Sequence, residues 1–350
     1  MITVKARSTS GPTDPFKPTT VDLRDPRPAD VLIDIAYCGV CHTDVTHSRR
    51  LRSSTTRYPL VPGHEITGVV SAVGSEVTAF AVGDRVGVGC MVDSCRECED
   101  CRAGLEQYCR VRHVKTYNDL GWDGQPTIGG YCEKVVVDQA YVVRIPETLP
   151  MQNAASLLCA GITMYSPLRH WKASAGKRVA IVGYGGLGHL GVAFSVALGA
   201  HTTVLEVTED KKDDALGAGA DGYRLTTDPE TFTDLAGFFD LIISSVPADL
   251  DYDAFLKLLA RDGTFVNLGV PKGPIKVEAF SLLAGRRSLA GSLIGGIEET
   301  QEMLEFCAEH DVQSQIEMID ADRIDEAFDR VSAGDVRYRF VIDISTLADV

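Results

Sequence analysis

The sequence predicts an α/β protein of two domains, a β-rich barrel-like one followed by a doubly wound parallel sheet. Three observations carry this prediction. The chain has 350 residues, enough for two separate cores. After His64, short apolar runs such as Val69-Val70 and Val86 are spaced by Gly74 and Gly83, the pattern of a compact barrel of short strands. From about residue 159 onward, strand-like and helix-like patterns alternate, which implies a parallel sheet covered on both faces.

Taken in order, residues 1 to about 30 carry Pro12, Pro15, Pro18, Pro26 and Pro28 and suit extended strands and turns. Val31–Ile35 reads as a strand running into Cys38 and Cys41, and Asp44 to Arg52 as a short helix with a basic side. Arg178–Val182 is a short apolar strand. The turn Gly183-Tyr184-Gly185-Gly186-Leu187-Gly188 follows at once, then a helix marked by Leu187, Leu190, Phe194, Ala197 and Leu198 at three- and four-residue steps. A second strand, Thr203–Leu205, ends at Glu206. Asp240–Val246, Tyr252–Leu259 and Gly263–Leu268 continue as strand, helix and strand. Near the end, Glu298–Ala308 is expected to be a helix burying Met303, Leu304, Cys307 and Ala308, with Tyr338–Ile344 as a final strand.

Composition narrows the function. A net charge of -15 argues against a nucleic-acid or anionic-membrane partner. No apolar run approaches membrane-spanning length, and no apolar core follows the basic residues of the N-terminus, so neither a membrane span nor a signal peptide is expected. Ten cysteines without an export signal point to metal binding rather than disulfides, with the cytoplasm as the expected location.

Three constellations carry chemistry. Cys41-His42-Thr43-Asp44 and Gly63-His64-Glu65 offer a thiolate and an imidazole from separate segments, as a catalytic zinc site requires. Either residue alone is as well explained by core packing. Cys95, Cys98, Cys101 and Cys109 lie close enough in sequence to wrap one tetrahedral ion and leave no position open, which makes that site structural. The rival, an iron–sulfur cluster of the bacterial ferredoxin type, has a three-residue last gap followed by Pro, whereas here the gap is seven and Arg110 follows. Finally, a strand, a glycine turn, a helix, a second strand and then an acid form the context in which a glycine hexad binds a dinucleotide.

These pieces resemble the zinc-dependent medium-chain alcohol dehydrogenases, and among them the cinnamyl-alcohol-dehydrogenase type with its bacterial aldehyde reductases. The most specific stretches are Cys38–Asp44, Val61–Glu65, the cysteine quartet, Leu157–Thr163 and Asp335–Asp343, so the likeness spans the whole chain. The resemblance implies a GroES-like β-rich catalytic domain over 1–158, a Rossmann nucleotide-binding domain over 159–296, and a return to the first domain over 297–350. It implies Cys41, His64 and Cys159 as ligands of a catalytic zinc, with water or Glu65 completing the shell and Asp44 orienting His64. With the quartet this makes two zinc ions per chain. Nothing local marks Cys159; only the resemblance singles it out. Cys38, Cys90, Cys132 and Cys307 match no ligand position.

The same resemblance gives Thr43 the role of passing the alcohol proton outward and His42 a contact with the cofactor pyrophosphate. Gly183, Gly185, Gly186, Leu187 and Gly188 form the turn that lets backbone approach that pyrophosphate. Thr163, Ser245, Gly269 and Ser292 match lesser cofactor contacts. The expected activity is reversible hydride transfer between a nicotinamide cofactor and an aromatic or medium-length primary alcohol or aldehyde. Tyr117 and Leu293 match pocket-lining positions. A homodimer is implied, paired through the strand near Ser288–Ile294. Alternatives are reduction of a conjugated double bond on the same scaffold and a zinc protein without catalysis.

Two departures from the family pattern stand out. The relay histidine of the family falls at Thr46, with His47 one residue later, and the loop Thr46–Tyr58 reads as one residue longer than usual; either the insertion precedes His47 and the relay survives through it, or the proton leaves through water and His47 is a solvated helix residue. Where many relatives carry small hydroxyl residues and a following lysine, this chain has Glu206-Val207-Thr208-Glu209-Asp210 before Lys211 and Lys212. An acid there accepts hydrogen bonds from ribose hydroxyls and repels a 2′-phosphate, so NAD(H) is expected over NADP(H). The opposite outcome has Lys211 reaching the phosphate.

Overall fold

The computed structural model describes residues 1–51 and 55–348. Arg52, the expected end of the first helix, and the centre of the loop Thr46–Tyr58 lie outside the described residues. The chain forms two compact units, Met1–Ile162 with Gly295–Val350, and Thr163–Ile294. The first unit extends past the expected end at residue 158, so Cys159 belongs to it.

The first unit is organised around the strand Asp30–Val40, whose 11 residues are long enough to pair with three others. Ile66–Val73 runs antiparallel along one side. Lys134–Asp138 occupies the first half of the other side and Arg339–Asp343 the second half. Ile316–Asp320 adds to Arg339–Asp343 in parallel, and Arg85–Val88 and Val143–Arg144 extend the opposite edge. Val31, Ile33, Cys38 and Val40 are buried, which sets the strand's register against its neighbours. A separate hairpin joins Ile2–Ser8 to Lys17–Leu23. The first helix is His42–Ser48, two residues earlier at its start than Asp44 and shorter than expected, because Arg50 turns out of the helix at φ 50°.

The second unit holds six parallel strands in the spatial order Gly222–Leu225, His201–Glu206, Arg178–Val182, Phe239–Ser244, Leu259–Asn267 and Ser288–Gly291. In chain order this is 3-2-1-4-5-6, the doubly wound arrangement whose ligands lie beyond the carboxyl ends of the strands. Its central strands are buried on both faces, so they read as runs such as Val179-Ala180-Ile181-Val182 rather than as alternating patterns. Phe239, Ile242, Phe255 and Phe265 close one face. The helix Gly188–Ala197 buries Leu190 and Phe194 as expected, and also Gly191 and Val192, because a helix on such a sheet is covered more widely than a single stripe. Among the described residues no helix is long and apolar enough to cross a membrane.

Candidate active site

The central strand of the first unit delivers Cys41 to the start of the helix His42–Ser48. Asp44 sits in the first helical turn and accepts the Cys41 N–H at 2.9 Å, which satisfies an amide the helix start leaves unpaired. Asp44 has further donors. Its Oδ1 stands 3.0 Å from His64 Nδ1 and accepts the Gly63 N–H at 3.3 Å, while Oδ2 takes the Tyr131 hydroxyl at 3.4 Å. A fully buried carboxylate with four such partners is held in place. It fixes the proton on His64 Nδ1 and leaves Nε2 free to bind a metal.

His64 Nε2 faces Cys159 Sγ at 3.3 Å, and the sulfurs of Cys41 and Cys159 are 4.0 Å apart. Cys159 lies on a π-helical turn, Leu157–Gly161, between the helices Met151–Ser156 and Ile162–His170. Such wide turns re-aim a side chain within an otherwise regular helix. Leu158 is fixed from the opposite side by Gly87 and Gly89, where a Cβ would stand 2.7 Å from the Leu158 Cδ1 and 2.8 Å from its carbonyl oxygen.

Glu65 completes the cluster. Its side chain lies flat on Gly39, where a Cβ would meet Oε2 at 2.0 Å. Oε1 is paired with the Arg339 guanidinium, while Oε2 is buried with no hydrogen-bond partner among the described residues. Burial pushes the Glu65 carboxyl up to about 7, against the pull of Arg339. Sequence reasoning assigned no role to Arg339. No local signal marks it, since the two partners are 274 residues apart.

One ligand atom each from Cys41, His64, Glu65 and Cys159 lies within 4.8 Å of all the others, and all four residues are buried. Two thiols, an imidazole and an orphaned carboxylate oxygen fit a borderline-soft ion such as zinc. Cys95, Cys98, Cys101 and Cys109 converge within the same limit. There the Cys95 N–H points at Cys109 Sγ and the Cys98 N–H at Cys95 Sγ, both at 3.4 Å. Burial raises the Cys109 thiol, but the amides of Cys95, Val111 and Arg112 outweigh it and bring the thiol down to about 6. The backbone hydrogen bond from Cys101 likewise lowers the Cys98 thiol, whereas burial pushes Cys101 up to about 12.

Thr43 and His42 are exposed at the start of their helix, and Thr43 and His47 fall one turn apart on one helical face. His47 is half-buried, 3.1 Å from the Asn118 amide nitrogen and edge-on to Tyr117. Burial, then the charge of Lys115, lowers its pKa.

In the second unit, Glu206 ends a parallel strand, and Gly183–Gly188, Ser245, Gly269 and Ser292 lie just past the carboxyl ends of four others. Gly269 is required by close approach, since a Cβ there would stand 2.1 Å from the Val246 carbonyl oxygen. Thr163 lies on the helix Ile162–His170, and Lys211 precedes the helix Lys212–Gly217.

Known proteins share this arrangement. Residues 27–147 match the alcohol dehydrogenase GroES-like domain and residues 186–309 the zinc-binding dehydrogenase domain. An NADP-dependent alcohol dehydrogenase C of Mycobacterium tuberculosis is 58% identical over 347 residues, 99% of this chain and 100% of the relative. A cinnamyl alcohol dehydrogenase of Sorghum bicolor superposes with a TM-score of 0.96 at 39% identity, covering 100% of both chains. The Helicobacter pylori CAD complexed with NADP(H) gives 0.91 at 38%, covering 98% of this chain and 99% of that one. By descent and by fold, this chain belongs to the zinc-dependent medium-chain dehydrogenases of the cinnamyl-alcohol-dehydrogenase type.

Proposed function

We propose that the chain is an alcohol dehydrogenase acting as an aldehyde reductase on aromatic or medium-length primary substrates. The observation that carries this is the buried convergence of Cys41, His64 and Cys159, with His64 oriented by Asp44. These three would hold a catalytic zinc and the quartet a structural one. Zinc in the first site, when bound, polarises the substrate oxygen, and a nicotinamide cofactor exchanges the hydride. The protein's part is placement and proton traffic. Two thiolates and a neutral imidazole offset the charge of a divalent ion, so the site favours a neutral oxygen. Thr43 passes the alcohol proton outward, and His47, one turn further on the same helical face, takes it toward solvent.

NAD(H) is our reading of the preferred cofactor. It is supported by Glu206 at the end of the second strand, where an acid favours ribose hydroxyls and opposes a 2′-phosphate. The mycobacterial relative's name and the Helicobacter complex point to NADP(H), which makes this a sharp test. With one aldehyde, kcat/KM is expected to be higher for NADH; a tenfold preference for NADPH, about 1.4 kcal/mol, sinks the reading. Cinnamaldehyde as substrate should yield the unsaturated alcohol. A saturated aldehyde as product would establish double-bond reduction instead.

A homodimer completes the proposal. Ser288–Gly291 is an edge strand with an unpaired side, and the preceding helix leaves Phe280 74% and Leu283 72% exposed. All ten cysteines are free, which suits the cytoplasm.

A further inference from the structure

Besides standing where an acid can read the ribose, Glu206 is bound into the protein's own backbone. It is only 8% exposed, and both of its oxygens accept a backbone N–H, Oε2 from Tyr184 at 2.7 Å and Oε1 from Val207 at 2.8 Å. Lys211 Nζ stands 3.9 Å from Oε2. Tyr184 is the second residue of the glycine turn and is fully buried, and its hydroxyl reaches the Asp214 carbonyl at 3.4 Å. The turn is therefore tied at one residue to both ends of the segment 206–214, through the backbone to Glu206 and through the side chain to Asp214. It is also tight. Gly183 has φ 84° and donates its N–H to Leu205 at 2.9 Å, and a Cβ on Gly188 would stand 1.8 Å from the Gly183 carbonyl oxygen.

We propose that Glu206 is a positioning residue which holds the glycine turn closed through the Tyr184 N–H and so governs affinity for the adenosine half of either cofactor. This rests on the dinucleotide reading above and is separable from the choice of NAD(H). A carboxylate between two amides is a charge-assisted acceptor, stronger than a neutral one. It presents the turn, and with it the start of the helix Gly188–Ala197, in one conformation, so that less freedom is lost when a pyrophosphate settles there. The charge of Glu206 also bears on which cofactor binds, since a 2′-phosphate meets it and a 2′-hydroxyl does not.

Three variants separate the two. Glu206→Ser removes both clamp and charge. Glu206→Asp keeps the charge but is one methylene too short to reach Tyr184. Glu206→Gln removes the charge but keeps an acceptor for the Tyr184 N–H. Binding of 5′-AMP and of 2′,5′-ADP is measured by calorimetry, hydrogen exchange in the peptide containing Tyr184 by mass spectrometry, and KM and kcat with NADH and NADPH. Glu206→Ser and Glu206→Asp are expected to weaken both nucleotides by a common factor of about ten, to speed exchange at Tyr184, and to raise both KM values by more than they change kcat. Glu206→Gln, whose one amide oxygen can serve the Tyr184 N–H while its NH2 is left facing the Val207 N–H, should recover part of that loss. The proposal is overturned if Glu206→Asp retains wild-type 5′-AMP affinity and Tyr184 exchange, or if Glu206→Gln is as impaired as Glu206→Ser. The wild-type ratio of the two nucleotide affinities judges the NAD(H) reading separately, whatever the variants do.

Discussion

Arg339 and Glu65 form a pair in which neither partner is tolerable alone. Both are buried, and Glu65 Oε2 and Arg339 Nε have no hydrogen-bond partner among the described residues. Removing Glu65 strands a buried guanidinium, and removing Arg339 leaves a buried carboxyl that must take up a proton and still lacks its partner. Arg339→Ala is expected to cost about 3–5 kcal/mol of stability, measured by urea unfolding, and the double change Arg339→Met with Glu65→Gln should return most of it. Equal loss in the single and the double variant would show that the pair is not coupled. At this scale the sequence was only partly readable. Cys41 and His64 carry their chemistry in their own side chains and could be suspected at once. Cys159 needed the family likeness, and Arg339 matters only because strand pairing brings Val341 opposite Gly39, a contact that no local pattern encodes.

At the scale of elements, each of the two clusters proposed to hold zinc depends on a different device. The quartet is local: Cys98 begins the short helix Glu99–Arg102, and the four sulfurs need little beyond the turns between them. That is why its spacing could be read directly. The buried cluster depends instead on the π-helical turn Leu157–Gly161, which packs closely on Gly87 and Gly89. Gly89→Ala forces a Cβ to within 2.8 Å of the Leu158 carbonyl and must displace the turn that carries Cys159. It is expected to release the zinc of the buried site and abolish activity while the quartet keeps its ion. Cys101→Ala should do the reverse, releasing the quartet's zinc and lowering thermal stability. Plasma emission spectrometry against protein concentration reads both; loss of both ions in either variant would refute independent sites. The short first helix was over-extended in the sequence reading, because Thr, His, Ser and Arg carry no apolar period that would mark its end.

For the whole molecule, the alternating pattern after residue 159 was enough to foresee a parallel sheet, and Ser288–Gly291 lies at its edge as the family likeness implied. The barrel-like reading of the first half was vaguer. Its long strand Asp30–Val40 takes partners from three distant parts of the chain, and register between such partners leaves no mark on sequence. If the edge strand and the exposed Phe280 and Leu283 are the subunit interface, Phe280→Asp combined with Leu283→Asp should convert a dimer to a folded monomer. Light scattering at micromolar concentration reads the mass. A monomeric wild type, or a double variant that stays dimeric, would place the contact elsewhere or nowhere.

The first unit is assembled from both ends of the chain, with the second unit spliced between them. During synthesis this fixes a timetable. Thr163–Ile294 is complete while the first unit still lacks Arg339–Asp343, the strand that covers Cys38–Val40 and supplies the countercharge to Glu65. Until residues 339–343 have been made, the sheet leading to Cys41 stays open along that edge and Glu65 has no Arg339 guanidinium to lie against. The quartet, wholly contained in residues 95–109, can take its ion early. The buried cluster is sealed last, so if both proposed sites take zinc, the nascent chain should fill the quartet before the buried site.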